Sequence, residues 1–376
     1  MTHLGLEYNP ETKMLAMSVA QKQMIEIIKA ISRNSKVIIM DEPTSALTDI
    51  EIKHLFDQIN LLKNRGISIV YISHKLEEVF AVCDTVTVLR DGQYIDSRAI
   101  QDVTTDEVIT MMVGREVKDI YPQIGEPQNK TMLEVSDLRS DGFFKDVSFT
   151  LKKGEILGFA GMMGAGRSEI ARCIFGLDVK DSGNITLEGK KLKVKYPIDA
   201  IRAGIAMVTE DRAIYGFVGV RSIKDNIILP NCDMFAPKLL LKRKKINEKV
   251  SEICKMLSVK APTIDTLTSS LSGGNQQKVV LSKWLVRDVK VLIMDEPTRG
   301  IDVGAKQEIY RLMVKLASEG MSIILISSEM QEVLAMSHRL LVISNGKIVG
   351  ELPKTQATQD KIMKMIVESD CANANK

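Results

Sequence analysis

The 376 residues give room for two domains of ordinary size, each able to bury its own core. Charged residues make up 26% and the hydrophobic set 45%, the balance of a folded chain rather than a disordered one. A net charge of +3 is too small to argue for a nucleic-acid partner, and no apolar run reaches the roughly 20 residues of a membrane-spanning helix.

In chain order, the first informative stretch is MSVAQKQM, Met17 to Met24. Next comes the apolar run Val37 to Met40, ended by Asp41 and Glu42, then the strand-like run Ile67 to Ile72 with His74 just beyond it. Met111 and Met112 read as core packing. Pro122 to Thr131 is polar, with two prolines and a glycine, and reads as a linker. Behind it, Glu155 to Ala160 predicts a strand that runs into GMMGAGRS, Gly161 to Ser168, with a helix opening at Ser168. KLLLKRKKINEK, Lys238 to Lys249, reads as a solvated helix face. LSGGNQQK (271–278), VLIMDEP (291–297) and the strand-like Met321 to Ile326 complete the second half. Five cysteines without Cys-x-x-Cys spacing read as reduced, mostly buried thiols of a cytosolic chain that lacks a secretory leader.

These blocks repeat. VIIMDEPTSA (37–46) and VLIMDEPTRG (291–300) share seven of ten positions at an offset of 254. The same offset sets Met17-Ser18 on Leu271-Ser272, Ile72-Ser73 on Ile326-Ser327, and Asp91-Gly92 on Asn345-Gly346. Colinear blocks at one long offset predict a duplicated domain, not a solenoid. The alternation of β-rich runs with helical stretches predicts a mostly parallel α/β sheet.

The residue types imply phosphate chemistry. Gly161, Met162, Met163, Gly164, Ala165, Gly166, Arg167 and Ser168 have phosphate-loop spacing, with arginine in the lysine place. Glycines let backbone amides curl around phosphate oxygens at a helix N-terminus, and a serine hydroxyl there suits Mg²⁺. Asp41 and Asp295 end parallel strands, where open α/β sheets bind ligand, so each suits Mg²⁺ as well. Glu42 and Glu296 follow, placed to polarise an attacking water. His74 suits bonding a terminal phosphate and holding the glutamate and water in register, and its counterpart Ser328 is expected to be too short to do so. Ser272, Gly273 and Gly274 offer a second anion cradle, which Val19-Ala20 obstruct in the first copy.

With these motifs, the chain resembles ABC ATPases, and specifically the tandem subunits of monosaccharide importers. LSGGNQQK, GAGRSE, DEPTRGIDVGAK, ISSEM and MMVGRE carry the likeness. The resemblance implies tandem P-loop domains with a helical subdomain, ATP and Mg²⁺ as cofactors, and transmembrane permease subunits as partners. It also implies a sugar-binding receptor as an indirect partner, no nucleic acid, and a peripheral place on the cytoplasmic face of the membrane. Two composite sites are implied: Asp41, Glu42 and His74 with Ser272, Gly273, Gly274 and Gln276; and Gly161–Ser168, Asp295 and Glu296 with Ser18 and Val19. Arg167, Ser328 and Glu210, which stands where a sensing glutamine is usual, fall in the second site, so the first is expected to be the hydrolytic one. The expected domains are 1–121, the C-terminal part of a first ATPase domain without its phosphate loop; a linker, 122–131; and 132–376, a complete second domain. Alternatives are a soluble tandem ATPase acting on ribosomes or DNA, and a silent fragment that only binds nucleotide or permease. Turnover by the chain alone is expected to be doubtful.

Overall fold

The computed structural model describes residues 11–17, 19–32, 35–44, 47, 49–73, 75–90, 92–113, 121–235 and 243–374, in two compact units, Met1–Lys118 and Asp119–Lys376.

In the first unit, α1 (Val19–Ser32) leads to β1 (Val37–Asp41), α2 (Asp49–Asn64), β2 (Ser68–Ile72), α3 (Leu76–Val82), β3 (Thr85–Arg90), β4 (Gln93–Ala99) and α4 (Thr105–Val113). β1 and β2 pair in parallel, and β3 and β4 form an antiparallel hairpin. A small core of Ile38, Met40, Leu55, Ile59, Leu62 and Val82 lies under one face of the parallel pair. Met111 and Met112 are half-buried rather than core, because α4 packs mainly through Val108 and Ile109.

The second unit holds β5 (Thr131–Ser140), β6 (Phe144–Lys152), β7 (Ile156–Ala160), α5 (Arg167–Phe175), β8 (Ser182–Leu187), β9 (Lys190–Leu192), α6 (Pro197–Ala203) and β10 (Ile205–Val208). It continues through α7 (Ile223–Ile228), α8 (Cys232–Phe235), α9 (Arg243–Met256), α10 (Gly273–Leu285), β11 (Val291–Asp295), α11 (Val303–Ser318), β12 (Ser322–Ile326), α12 (Met330–Met336), β13 (Arg339–Ser344), β14 (Lys347–Pro353) and α13 (Gln359–Ala374). The main sheet runs β10-β11-β12-β7-β13-β14 and is parallel except for β14. A second, antiparallel sheet runs β6-β5-β8-β9. Every residue of β7, β11 and β12 is buried, which explains their unbroken apolar sequences: parallel strands covered on both faces have no solvent side to alternate with.

All eight elements of the first unit begin 254 residues before an element of the second: α1 before α10, β1 before β11, α2 before α11, β2 before β12, α3 before α12, β3 before β13, β4 before β14 and α4 before α13. The strand register repeats too, since Val37 pairs with Ser68 as Val291 pairs with Ser322. Burial does not repeat. Ile39 is 69% exposed on β1, whereas Ile293 on β11 is 0% exposed. Among the described residues the first unit has no strand corresponding to β7 and no helix corresponding to α5.

Several expectations need correction. The segment expected to be a linker is fastened to the second unit: Tyr121 and Ile124 pack on its core, the His338 ring bonds the Gly125 carbonyl, and Gln128 N–H donates to Lys153 O. Its apolar side chains find a surface to bury against, so its polar composition misleads. α5 opens at Arg167, one residue before the expected Ser168, because Gly166 at φ 99° supplies the left-handed N-cap. Cys173 is buried, but Cys83 and Cys254 are half-buried and Cys232 is exposed, on a helix whose buried contact comes from Phe235. Residues 243–249 of the basic stretch form the start of α9, with Ile246 and Val250 buried and the lysines in solvent; 238–242 lie outside the described residues.

Candidate functional site

The loop from Gly161 to Gly166 joins a wholly buried strand to the N-terminus of α5, so its shape is fixed from both ends. At Gly161 a Cβ would come within 2.4 Å of the Ile343 carbonyl oxygen, so packing against β13 demands glycine there. At Gly164, φ is 77° and the space beside Cα is open, which suits backbone amides turned toward a ligand. Met162 and Met163 are exposed, and Ala165 is buried.

Arg167 does not extend along the loop. Its guanidinium donates to the Ser327 carbonyl at 2.7 Å, at the end of β12. Ser168 hydrogen-bonds to Asp295, which is 2% exposed. Burial, opposed in part by the Ser168 hydroxyl and reinforced by the Glu296 and Glu210 charges, pushes the Asp295 carboxyl up to about 7. Its Oδ1 is buried without a hydrogen-bond partner. Glu296 sits at φ 48°, with its N–H donating to Ile326 O at 2.9 Å. Burial raises its carboxyl above the usual range, and the Ser328 hydroxyl, donating to Oε2 at 3.0 Å, works against that. Here the expectation for Ser328 is corrected. The serine reaches the glutamate, because the turn after β12 brings its hydroxyl alongside.

Glu210, past the end of β10, is ion-paired with Arg299. Arg212 donates to Gly300 O at 2.9 Å and, through Nε, to the Gln276 side-chain oxygen at 3.4 Å. Gln276 also donates to Leu271 O at 3.1 Å, which ties its side chain to the start of α10. Ser272 is the exposed N-cap of α10, and its hydroxyl accepts from Asn275 Nδ2. Gly273 and Gly274 are required by packing as well as by any ligand. A Cβ would lie 2.9 Å from Gly300 O at Gly273, and 2.5 Å from Ala305 Cβ at Gly274.

In the first unit Asp41 is exposed and Glu42 is half-buried. Glu42 repeats the geometry of Glu296, with φ 46° and N–H donating to Ile72 O at 2.9 Å. His74 and Ser18 lie outside the described residues, and so does the side chain of Val19.

A family model described as ABC transporter matches residues 144–299, which span the Gly161–Ser168 loop, the LSGGNQQK signature and the acidic strand end Asp295-Glu296. A putative ribose/galactose/methyl galactoside import ATP-binding protein 1 of Rhizobium etli is 48% identical over 97% of this chain and 70% of its own length. A ribose import ATP-binding protein of Bacillus licheniformis is 48% identical over 96% of this chain and 74% of its own length. The chain belongs to this family of sugar-import ATP-binding proteins. Among solved structures, a nucleotide-free ATP-binding cassette from an ABC transporter superimposes with a TM-score of 0.53 at 23% identity, covering 63% of this chain and 95% of the other, a likeness of fold.

Sequence reasoning missed one constellation of this ABC protein. Glu332, on α12, is fully buried and accepts from Thr298 Oγ1 at 2.9 Å and Ser327 Oγ at 2.6 Å. It ties the loop after Glu296 to the serine before Ser328. Glu78, 254 residues earlier, does the same with Thr44 at 2.6 Å and Ser73 at 3.2 Å. The signal was present, since all three residues recur at the offset, but a glutamate in a helix looks solvated until its burial is seen.

Proposed function

We infer that the chain is the ATP-binding and ATP-hydrolysing subunit of an ABC importer for a monosaccharide of the ribose or galactose type. It works peripherally at the cytoplasmic face on transmembrane permease subunits, and a sugar-binding receptor acts through those subunits. The observation that carries the reading is the junction of the Gly161–Ser168 loop with the buried strand end Asp295-Glu296. Relatives named for sugar import across nearly the whole chain support it over an ATPase of ribosomes or DNA.

Loop amides receive the phosphate oxygens at the positive end of α5. The orphaned Asp295 Oδ1 beside the Ser168 hydroxyl fits Mg²⁺, a hard cation that takes few protein oxygens and keeps water and phosphate ligands. When bound it supplies charge neutralisation between the phosphates. Glu296, a stronger base for its burial, polarises the attacking water while Ser328 holds it. The turn of Arg167 onto Ser327 O supports a site that binds nucleotide but turns it over slowly. The element-by-element correspondence at one offset supports two tandem ABC domains, with 1–121 representing the first from its signature helix onward. In that copy Asp41 holds the cation, Glu42 is the base and His74 the switch. Ser272, Gly273 and Gly274 act on a nucleotide held by a different ABC domain's loop.

The test is ATP binding and hydrolysis by the purified chain, Ser168→Ala, Glu296→Gln and Glu42→Gln. Ser168→Ala weakens Mg-ATP binding, and Glu296→Gln keeps it while losing the turnover of this site. Mg-ATP binding indifferent to both Ser168→Ala and Asp295→Ala would refute the site.

A further inference from the structure

Five buried side-chain polar atoms among the described residues have no hydrogen-bond partner. Three lie on or beside helices, at Trp284 on α10, Glu332 on α12 and Ser337 just after it. The other two are Thr209 Oγ1 and Asp295 Oδ1, and they stand at the same end of neighbouring strands. β10 and β11 pair in parallel from Ile205 with Val291 to Val208 with Met294, so the next step of that register sets Thr209 beside Asp295.

Neither atom is matched by its surroundings. Asp295 bonds the Ser168 hydroxyl and still leaves Oδ1 unmatched. Glu210, the residue after Thr209, is engaged elsewhere, because its carboxylate is ion-paired with Arg299. The Thr209 hydroxyl is therefore the neutral polar group that the end of β10 brings to Asp295. An oxygen buried there without a partner costs stability, and a valine of the same shape would fill the position without that cost. The hydroxyl thus points to a partner that arrives with the ligand.

Mg²⁺ sheds its water shell reluctantly and keeps several waters when carboxylates hold it. A water on the cation has a lone pair committed to the metal and two hydrogens to place. Two unmatched oxygens side by side are the acceptors that such a water needs. We propose that Thr209 is a positioning residue of the magnesium site: its hydroxyl and Asp295 Oδ1 together receive one cation-bound water and so fix the cation against the two strand ends. The proposal rests on the nucleotide-site reading above. It adds to that site a residue outside the loop, the acidic strand end and the signature, one that acts only through the water it holds.

The experiment takes the purified chain with a non-hydrolysable ATP analogue, uses Mn²⁺ as the probe, and reads bound Mn²⁺ by electron paramagnetic resonance. Thr209→Val is expected to weaken Mn²⁺ binding about tenfold or more, the scale of losing an outer-shell partner of a metal site. Thr209→Ser, which returns the hydroxyl, should bind Mn²⁺ as the wild type does. Nucleotide affinity measured with a chelator present should be the same in all three chains. Unchanged Mn²⁺ binding in Thr209→Val, a serine variant as weak as the valine one, or an equal loss of nucleotide affinity under chelator overturns the proposal. Ser168→Ala, measured in parallel, keeps the two readings apart. If it weakens Mn²⁺ binding and Thr209→Val does not, only the role of Thr209 falls; if neither does, the nucleotide site falls with it.

Discussion

Glu332 makes a prediction that separates this buried carboxylate from its repeat partner. Burial, only partly offset by the Ser327 and Thr298 hydroxyls, pushes it from 4.5 up to about 7, and Oε1 has no hydrogen-bond partner. A carboxyl whose pKa is higher folded than unfolded costs nothing while both states are protonated, and costs most once both are ionised. The penalty therefore grows as pH rises from about 4.5 to about 7, and at pH 8 it is on the order of 3 kcal/mol. Glu332→Gln keeps an acceptor for the two hydroxyls and cannot ionise. Relative to wild type the variant should gain roughly 2–3 kcal/mol between pH 5 and pH 8, because the other titrating groups cancel in the difference. Urea unfolding followed by Trp284, the single tryptophan and a buried reporter of the second unit, measures it. A wild-type-to-variant difference that stays flat across that range would refute the assignment. Glu78 should show the opposite sign. There the hydroxyls of Thr44 and Tyr71 and the charge of Lys75 outweigh burial and lower its pKa, so its stabilisation is present at neutral pH and lost on acidification. The inversion follows the deeper burial of Glu332 together with two exchanges in the repeat, Tyr71 for Leu325 and Lys75 for Glu329.

Other perturbations test the nucleotide loop and the signature. Arg167→Lys removes the planar fork that grips Ser327 O, so it should raise single-site turnover by about an order of magnitude, read in a phosphate-release assay on the Glu42→Gln background. Unchanged turnover would remove Arg167 from the explanation. Asp295→Asn should make ATP affinity nearly independent of Mg²⁺, as titration with and without a chelator would show. Gly274→Ala drives a methyl to 2.5 Å from Ala305 Cβ and should cost about 1–3 kcal/mol by the same urea assay.

The repeat offset makes much of the fold legible in the sequence, because apolar runs as alike as VIIMD and VLIMD form the same strand. Glycine spacing located the loop from its fit to phosphate, and at Gly161 packing against the Ile343 carbonyl requires glycine as well. What stayed hidden depends on the third dimension. The direction in which Arg167 points is set by a carbonyl 160 residues away, and the reach of Ser328 by the turn that carries it. The attachment of 121–128 to the second unit comes from distant partners, such as Tyr310 tilted against Tyr121 with ring centroids 5.1 Å apart, which no local composition reveals.

Glu42 and Glu296 both hold a backbone angle that glycine would occupy more comfortably. Keeping a carboxylate there sacrifices roughly 1 kcal/mol of fold stability in each copy. Selection of this protein for heat resistance alone should therefore drift toward glycine at those two positions. Such survivors would be sturdier scaffolds that have given up the water-activating group.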